Sequence, residues 1–350
     1  MRKPVRKGLI LAAKVIIGVG LLWFVLQKVE WGEFIDALTG ITIAPAGLAA
    51  GCFVANFALM AYRWRRLLGV QDVRLGMWEA IRLTWLGTFF NFVVLGTTGG
   101  DLARAWYSAK HTDRKAACLL TVFVDRLIGL TGLTLLSVVM LAGVYASRLL
   151  PATRGIFAAG DKNAQMLRVA TYIATGVFAG LIGACAFVFS RRLRRWLHLE
   201  ALYQKLPMAK QLANVREAVR RFRSRPAAIL RAMGQTLMIH LLFICGIFLL
   251  AKALGLKIPW HAFLTYIPLI YIAAAVPISP GGLGAAEVGY VMAFSAWASN
   301  RGEIIALALL ARLLPMFLAL PGVIVAVRGA KIPPADQIEA EMAGTRAMDE

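Results

Sequence analysis

Residues 277–290 read PISPGGLGAAEVGY, which places prolines and glycines beside a glutamate inside a long apolar stretch. Between Ala262 and Asn300, Glu287 is the only formally charged residue. Hydrocarbon offers no partner for a carboxylate or for backbone groups released from a helix, so at membrane depth these groups face protein or a watery cavity. The stretch therefore predicts a hairpin turn that lines a cavity. The residues predicted to form this turn are Pro280, Gly281, Gly282 and Gly284.

The composition is that of a polytopic membrane protein. Of the 350 residues, 59% are hydrophobic, and the mean hydropathy is +0.69. Several apolar stretches approach the ~20 residues that a helix needs to cross a bilayer. The net charge of +21 would indicate nucleic acid in a soluble protein. Because Lys and Arg also accumulate in the cytoplasmic loops of membrane proteins, we predict no nucleic-acid partner.

The distribution of charge predicts how the segments are oriented. The N-terminal MRKPVRK is basic, EWGEFIDALTG contains three acids and no Lys or Arg, and residues 190–226 contain eleven Lys or Arg against two acids. Basic loops lie inside, so we predict a protein of the cell (inner) membrane with both termini in the cytoplasm. The alternation of apolar residues and arginines in 190–226 indicates a basic amphipathic helix on the inner leaflet. A solvated connector is the alternative.

Two apolar segments, 81–98 and 262–299, do not fit a simple alternation of spans. The first starts inside and is followed by a basic loop, which also belongs inside. We therefore predict a re-entrant hairpin that turns at GTTGG, with Gly99 and Gly100 in the turn. The second segment is predicted to enter and leave on the outer side. The predicted fold class is an all-α polytopic integral membrane protein with about six full spans and two re-entrant helical hairpins.

The two hairpins carry matching acid–arginine pairs. The separation between Asp101 and Arg126 equals that between Glu287 and Arg312, so one shift along the chain superimposes both pairs. We call this shift, from Asp101 to Glu287, the repeat offset. The predicted orientations of the two hairpins are opposite, as in inverted repeats around a transport site.

The predicted organisation of the chain follows from these repeats. It has five parts: an N-terminal span and outer loop (1–40), membrane repeat 1 (41–145), a connecting span with the basic amphipathic segment (146–227), membrane repeat 2 (228–328) and a polar tail (329–350).

Ionisable residues within the apolar segments are candidates for a lipid head-group site. Arginine suits a phosphate because its planar group donates two parallel hydrogen bonds and stays charged in a low dielectric. The carboxylates either hold the arginines while the site is empty or bind a cationic head group. Structural ion pairs are the alternative, also for Asp125, and Arg104 has the further alternative of anchoring at the membrane interface. The predicted head-group residues are Arg126, Arg312, Asp101, Glu287, Arg104 and Asn91, with Asn91 also suited to hydrogen-bond the turn.

Neither a metal nor a cofactor is predicted. No cluster of residues has the spacing of metal ligands, and the G-x-G of GLGAAE lacks the third glycine of a dinucleotide loop.

Three stretches, NFVVLGTTGGDLARAWY, VFVDRLIGL and PISPGGLGAAEVGYVMAF, resemble in this order the lysylphosphatidylglycerol synthase/flippase transmembrane-domain family. The resemblance extends from about residue 10 to 328 and includes RWRRLL after the second span. GTTGGD stands where many relatives read PGRxGD. The resemblance implies that the hairpins with Asp101, Glu287, Arg126 and Arg312 border a lipid head-group cavity.

In the best-known members of that family, a separate soluble domain attaches the amino acid to the lipid. The chain ends with a short polar tail after residue 327, so we expect no aminoacyltransferase domain and do not assign lipid synthesis.

These observations favour a lipid translocase over an enzyme. The expected cargo is a phospholipid, aminoacylated or not, or a polyprenyl-phosphate-linked lipid. One alternative is a membrane-embedded transferase that acts on a lipid phosphate, with Asp101 or Glu287 as base. Another is a non-catalytic membrane subunit that recruits a soluble lipid-modifying enzyme. The expected partners are an anionic or aminoacylated lipid, the membrane and, in the last case, that separately encoded enzyme.

Overall fold

The computed structural model of the chain describes residues 31–93, 99–109, 112, 114–149, 171–183, 209–275 and 284–322. All regular structure in these ranges is helical. The helices are α1 (Trp31–Thr39), α2 (Ile43–Val70), α3 (Met77–Val93), α4 (Gly99–Ala109), α5 (Lys115–Leu149), α6 (Thr171–Gly183), α7 (Ala209–Ser224), α8 (Pro226–Ala253), α9 (Trp260–Ala275), α10 (Ala285–Phe294) and α11 (Arg301–Leu318), with one 3₁₀ turn at Ser295–Trp297.

Helices α2, α5 and α8 are long and apolar enough to cross a membrane. Helices α2 and α8 have 28 residues each, about 42 Å at 1.5 Å per residue, which exceeds the ~30 Å hydrocarbon core. Helices α6 and α9 are apolar but shorter. The prediction of an all-helical membrane chain is confirmed, whereas the number of spans and the re-entrant hairpins stay predictions.

Helices α2 and α8 pack against each other along their length and form the centre of the described structure. A Cβ at Gly246 would lie 2.9 Å from the ring of Phe53, so the absence of a side chain on α8 makes room for this aromatic group on α2. The side chain of Asn56 donates a 2.6 Å hydrogen bond to the carbonyl of Ile239. This buried bond satisfies a polar group that apolar surroundings would otherwise destabilise.

Helices α3 and α4 pack against each other at a contact between backbones. A Cβ at Gly100 would lie 1.9 Å from the carbonyl oxygen of Gly87, a distance that no side chain tolerates. Gly100 was predicted in a turn, but it lies in the first turn of α4, and the packing against α3 requires it to be glycine. Gly99 begins α4, and residues 94–98 lie outside the described residues.

Helices α9 and α10 are joined through the PISPGG break. Helix α9 ends at Ala275, and α10 begins at Ala285 after Gly284, whose φ of +80° is a conformation that glycine adopts readily. The rings of Phe263 and Phe294 stack with centroids 5.0 Å apart and hold the two helices together. The predicted turn residues Pro280, Gly281 and Gly282 lie outside the described residues.

Helix starts recur at the repeat offset that superimposes the acid–arginine pairs. Helices α4 and α5 begin at Gly99 and Lys115, and the same shift leads to Ala285 and Arg301, where α10 and α11 begin. Helices α8 and α9 begin within a few residues of the positions that the repeat offset assigns to α2 and α3. The helices therefore repeat along the chain with the same offset as the two ion pairs.

Helix α7 lies against the protein where its side chains are described. Ala218, Val219 and Phe222 are buried, and Phe222 packs with Leu67 and Val124 in one apolar cluster. The prediction that the apolar face of this helix meets the inner leaflet is therefore wrong for residues 218–222. Sequence periodicity identified the amphipathic face but not what covers it.

Asp72 joins α7 and α8 to the end of α2. Its φ of +59° turns the chain between α2 and α3, and its carboxylate pairs with Arg221, with Arg114 at 3.4 Å and with Arg225 at 3.7 Å. Three arginines, two from the corner between α7 and α8 and one from just before α5, therefore converge on one half-exposed acid.

Candidate functional site

Glu287 forms a buried ion pair with Arg312. One carboxylate oxygen accepts a 2.5 Å hydrogen bond from Nε of Arg312, and the other accepts a 2.8 Å bond from the backbone N–H of Gly284. Glu287 is the third residue of α10 and is only 1% exposed. A carboxylate at this position stabilises the helix start, where backbone N–H groups have no partner within the helix. This explains why a helix break and an acid occur together in the apolar stretch: the acid caps the helix that follows the break.

Asp101 forms the corresponding pair with Arg126. The guanidinium donates two hydrogen bonds to the carboxylate, Nε to Oδ2 at 2.5 Å and Nη2 to Oδ1 at 2.7 Å. Asp101 is the third residue of α4, as Glu287 is of α10. A bidentate pair of this kind fixes orientation as well as distance. Both acids predicted from the sequence therefore meet the arginine that was paired with them.

The two arginines lie at equivalent depths on their helices. Arg126 is the twelfth residue of α5, and Arg312 is the twelfth residue of α11. Eleven steps of 1.5 Å place each about 16 Å from the start of its helix, roughly half of a bilayer's hydrocarbon thickness.

The first pair continues into a chain of charges that alternate in sign. Arg63 contacts Asp125 at 3.0 Å, Asp125 lies 4.0 Å from Arg104, and Arg104 lies 3.9 Å from Asp101, which binds Arg126. Arg63 also donates a 2.6 Å hydrogen bond to the hydroxyl of Thr236. We call Arg63, Asp125, Arg104, Asp101 and Arg126 the five-charge cluster. It has arginine at both ends and contains one more arginine than acid.

Arg104 is the least satisfied member of this cluster. It is 3% exposed, and its Nε and Nη2 have no hydrogen-bond partner among the described residues. Its guanidinium lies 4.3 Å from the centroid of the Trp64 ring, a cation–π contact. The absence of a side chain at Gly87 leaves room for it, because a Cβ there would lie 2.5 Å from Cδ of Arg104. The interpretation of Arg104 as an interface anchor is wrong, since the side chain is enclosed by protein.

The two pairs differ in how accessible their arginines are. The side chain of Arg126 is 51% exposed although Asp101 is only 9% exposed, whereas the side chain of Arg312 is 19% exposed. Arg126 therefore presents a charged group to the protein surface while a buried acid holds it in place.

Asn91 has a structural contact at this site. Its side-chain oxygen accepts a 3.2 Å hydrogen bond from the N–H of Gly100, which satisfies a backbone donor at the start of α4. A contact between Asn91 and a lipid stays a prediction.

Sequence reasoning missed Arg63, because RWRRLL was assigned to the chain after the second span. Helix α2 continues to Val70, and Arg63 lies two helical turns after the buried Asn56 on the same face of the helix. Extending the periodicity of the span through RWRRLL would have placed Arg63 inside.

The fold and the site define a helical membrane protein with ionic groups buried among its apolar helices. The chain belongs to the family described as the lysylphosphatidylglycerol synthase TM region, whose match covers residues 11–322. The sequence-based identification is thus confirmed, and with it a lipid-related membrane function. None of the curated proteins compared with the chain matches it. Within the described residues, no group of His, Cys, Asp or Glu is arranged to hold a metal ion.

Proposed function

We propose that the chain is a lipid translocase of the cell (inner) membrane that moves a phosphate-bearing lipid between leaflets. The observation that carries the proposal is the pair of matched ion pairs, Asp101–Arg126 and Glu287–Arg312, each with its acid in the first turn of a short helix. Ionisable groups this deep in apolar helices are costly and commonly mark a transport pathway.

In this proposal the repeat offset reflects two inverted halves, each with a re-entrant hairpin, and both termini lie in the cytoplasm. Inverted halves with interrupted helices place a substrate site between them near the middle of the membrane. Movement of one half against the other would then expose the site first to one leaflet and afterwards to the other.

The ion pairs would exchange partners with the cargo. A phosphate offers an arginine the same two acceptor oxygens as a carboxylate, so it can replace Asp101 on Arg126 without a change in donor geometry. In the empty state the carboxylate offsets the cost of a charged arginine in apolar surroundings.

We propose transport and not catalysis for the same residues. A transferase would use Asp101 or Glu287 as a base, but the carboxylate oxygens of both acids already accept hydrogen bonds. Asp101 accepts them from Arg126, and Glu287 accepts them from Arg312 and from the N–H of Gly284.

Leaflet exchange in proteoliposomes tests the proposal. Vesicles with fluorescent phospholipids of several head groups are exposed to a membrane-impermeant quencher, and the rate of exchange is measured for Arg126→Gln, Arg312→Gln and the wild type. We expect at least one of the two variants to lose about tenfold or more in rate. Arg231→Gln is the matched control, because Arg231 is exposed and, among the described residues, donates its hydrogen bond to a carbonyl of its own helix. Wild-type rates in both variants would contradict the proposal.

A further inference from the structure

The two halves are unequal in charge, although their ion pairs match. In the second half, the residues that the repeat offset makes equivalent to Arg63, Arg104 and Asp125 are Leu249, Tyr290 and Ala311, in this order. At these positions the second half therefore retains one acid and one arginine, whereas the first half has three arginines and two acids. The sequence of residues 94–98 and 276–283 contains no ionisable residue, so this comparison of charge concerns the described residues.

The surplus charge of the five-charge cluster is located on Arg104. Arg63 is bound by Asp125 and Thr236, and Arg126 is bound by both oxygens of Asp101. Arg104 has only long contacts of 3.9 and 4.0 Å to the same two acids, and two of its nitrogens have no hydrogen bond within the described part of the chain. An arginine that is 3% exposed has little water to compensate its charge.

Resting on the proposed function, we propose that the cargo is a lipid whose head group has one net negative charge. The phosphodiester of this lipid binds Arg126 in the first half, while the ion pair between Glu287 and Arg312 stays intact. One phosphodiester added to three arginines and two acids makes the cluster neutral. A zwitterionic head group leaves the surplus charge in place, and a lysylated one increases it, because its two amino groups outweigh the one phosphodiester.

Arg104 acts in this scheme as a positioning residue through Asp101. When the phosphate binds Arg126, Asp101 loses the two hydrogen bonds that Arg126 donates to it. Arg104 lies 3.9 Å from Asp101 and can replace Arg126 as the positive partner of this acid. The buried acid is therefore never left without a positive partner. In the second half, Tyr290 stands at the position of Arg104, so release of Arg312 would leave Glu287 without a substitute cation from that position.

Binding selectivity of the purified full-length chain tests the inference. The probes are dihexanoyl phosphatidylglycerol, dihexanoyl phosphatidylcholine, dihexanoyl lysylphosphatidylglycerol and inorganic phosphate, each titrated calorimetrically at constant ionic strength. We expect the wild type to bind phosphatidylglycerol about tenfold more tightly than either other lipid. Equal or tighter binding of the zwitterionic or lysylated lipid would overturn the inference, as would binding of inorganic phosphate as tight as that of phosphatidylglycerol.

Three variants separate the charge of Arg104 from its packing. Arg104→Gln makes the cluster neutral and is expected to abolish the preference for phosphatidylglycerol, whereas Arg104→Lys is expected to retain most of it. The control variant Arg231→Gln, at an exposed position of α8, is expected to keep the wild-type preference. A folded Arg104→Gln protein with unchanged selectivity would overturn the inference. If Arg104→Gln does not fold, loss of the preference in a folded Arg104→Lys protein would overturn it as well.

The exchange assay distinguishes a failure of this inference from a failure of the proposed function. Rapid exchange of all lipids without preference for phosphatidylglycerol would support translocation and overturn the anionic selectivity. Selective binding of phosphatidylglycerol without any exchange would support the anionic subsite and contradict the translocase.

Discussion

At the scale of the residue, Glu287 combines two functions in one carboxylate. One oxygen caps the start of α10 and the other holds Arg312. The sequence showed that this acid is isolated among apolar residues and that Arg312 is its partner at a spacing equal to that of Asp101 and Arg126. It did not show the cap, because that bond depends on the backbone conformation of Gly284.

Removing the charge of Glu287 tests the coupling within this pair. Glu287→Gln retains an oxygen that accepts the N–H of Gly284 but removes the charge that faces Arg312. We expect a loss of about 3 kcal/mol in the free energy of unfolding, measured by thermal unfolding in detergent, because a largely buried arginine loses its counter-charge. The double variant Glu287→Gln/Arg312→Gln should lose less than the sum of the losses in Glu287→Gln and Arg312→Gln. A loss in the double variant equal to that sum would show that the two side chains are not coupled.

Asp72 gives the protein a pH-dependent contact outside its membrane helices. Burial by itself would raise the pKa of this acid, but Arg221, Arg225 and Arg114 favour the charged form, and the net effect lowers the pKa below its ordinary value of 3.8. The stabilisation is therefore fully present above the unfolded pKa and is lost as the pH falls through the lowered pKa of the folded state.

Asp72→Asn tests this dependence, because Asn tolerates the left-handed φ of +59° and changes only the charge. The difference in melting temperature between wild type and variant should be constant from about pH 7 to 5 and should disappear below the pKa of Asp72. High salt should reduce the difference, since the carboxylate is half-exposed. A difference that grows on acidification would contradict the assignment.

At the scale of the element, the hairpin of α3 and α4 shows where sequence reasoning reached its limit. The glycines of GTTGG were predicted to form a hairpin turn, but Gly100 lies in the first turn of α4. Its actual constraint comes from Gly87, which lies on the preceding helix and becomes its neighbour only through packing. A pattern that is local in sequence does not reveal which backbone will approach a given glycine.

Gly100→Ala is expected to separate α3 from α4. The added methyl group has no space beside the carbonyl of Gly87, and we expect a loss of about 1–3 kcal/mol in the free energy of unfolding. Gly51→Ala on α2 is the matched control, because no atom lies within 4 Å of a Cβ there and alanine favours a helix. Thermal unfolding of both variants gives the comparison, and equal melting temperatures would exclude a close contact.

At the scale of the whole molecule, the family and the helical class were predictable from the sequence. The shared spacing related each acid to its arginine but left open whether the acids bind the arginines or a cationic head group. Apolar segment length, isolated acids and a shared spacing are properties of the chain itself. The five-charge cluster was not predictable, because Arg63, Arg104 and Asp125 are brought together from three helices. The docking of α7 was also unpredictable, since a lipid surface and an apolar protein surface satisfy the same amphipathic pattern.

Cysteine labelling tests the inverted arrangement of the two halves. In a background without the native cysteines, Gly76→Cys and Ser299→Cys place a thiol at exposed positions beside the two hairpins. We expect an impermeant maleimide to reach residue 76 only from the cytoplasmic side and residue 299 only from the outer side. Labelling of both positions from one side would contradict inverted halves.

The backbone contact between Gly87 and Gly100 has a mechanical consequence. At this contact the main chains of α3 and α4 touch directly, so the two helices cannot slide past one another there without a clash. If the chain translocates lipid as proposed, α3 and α4 would therefore move together as one rigid body. Release of Arg126 from Asp101 would then break one of the contacts that hold this body against α5, alongside the contact between Arg104 and Asp125.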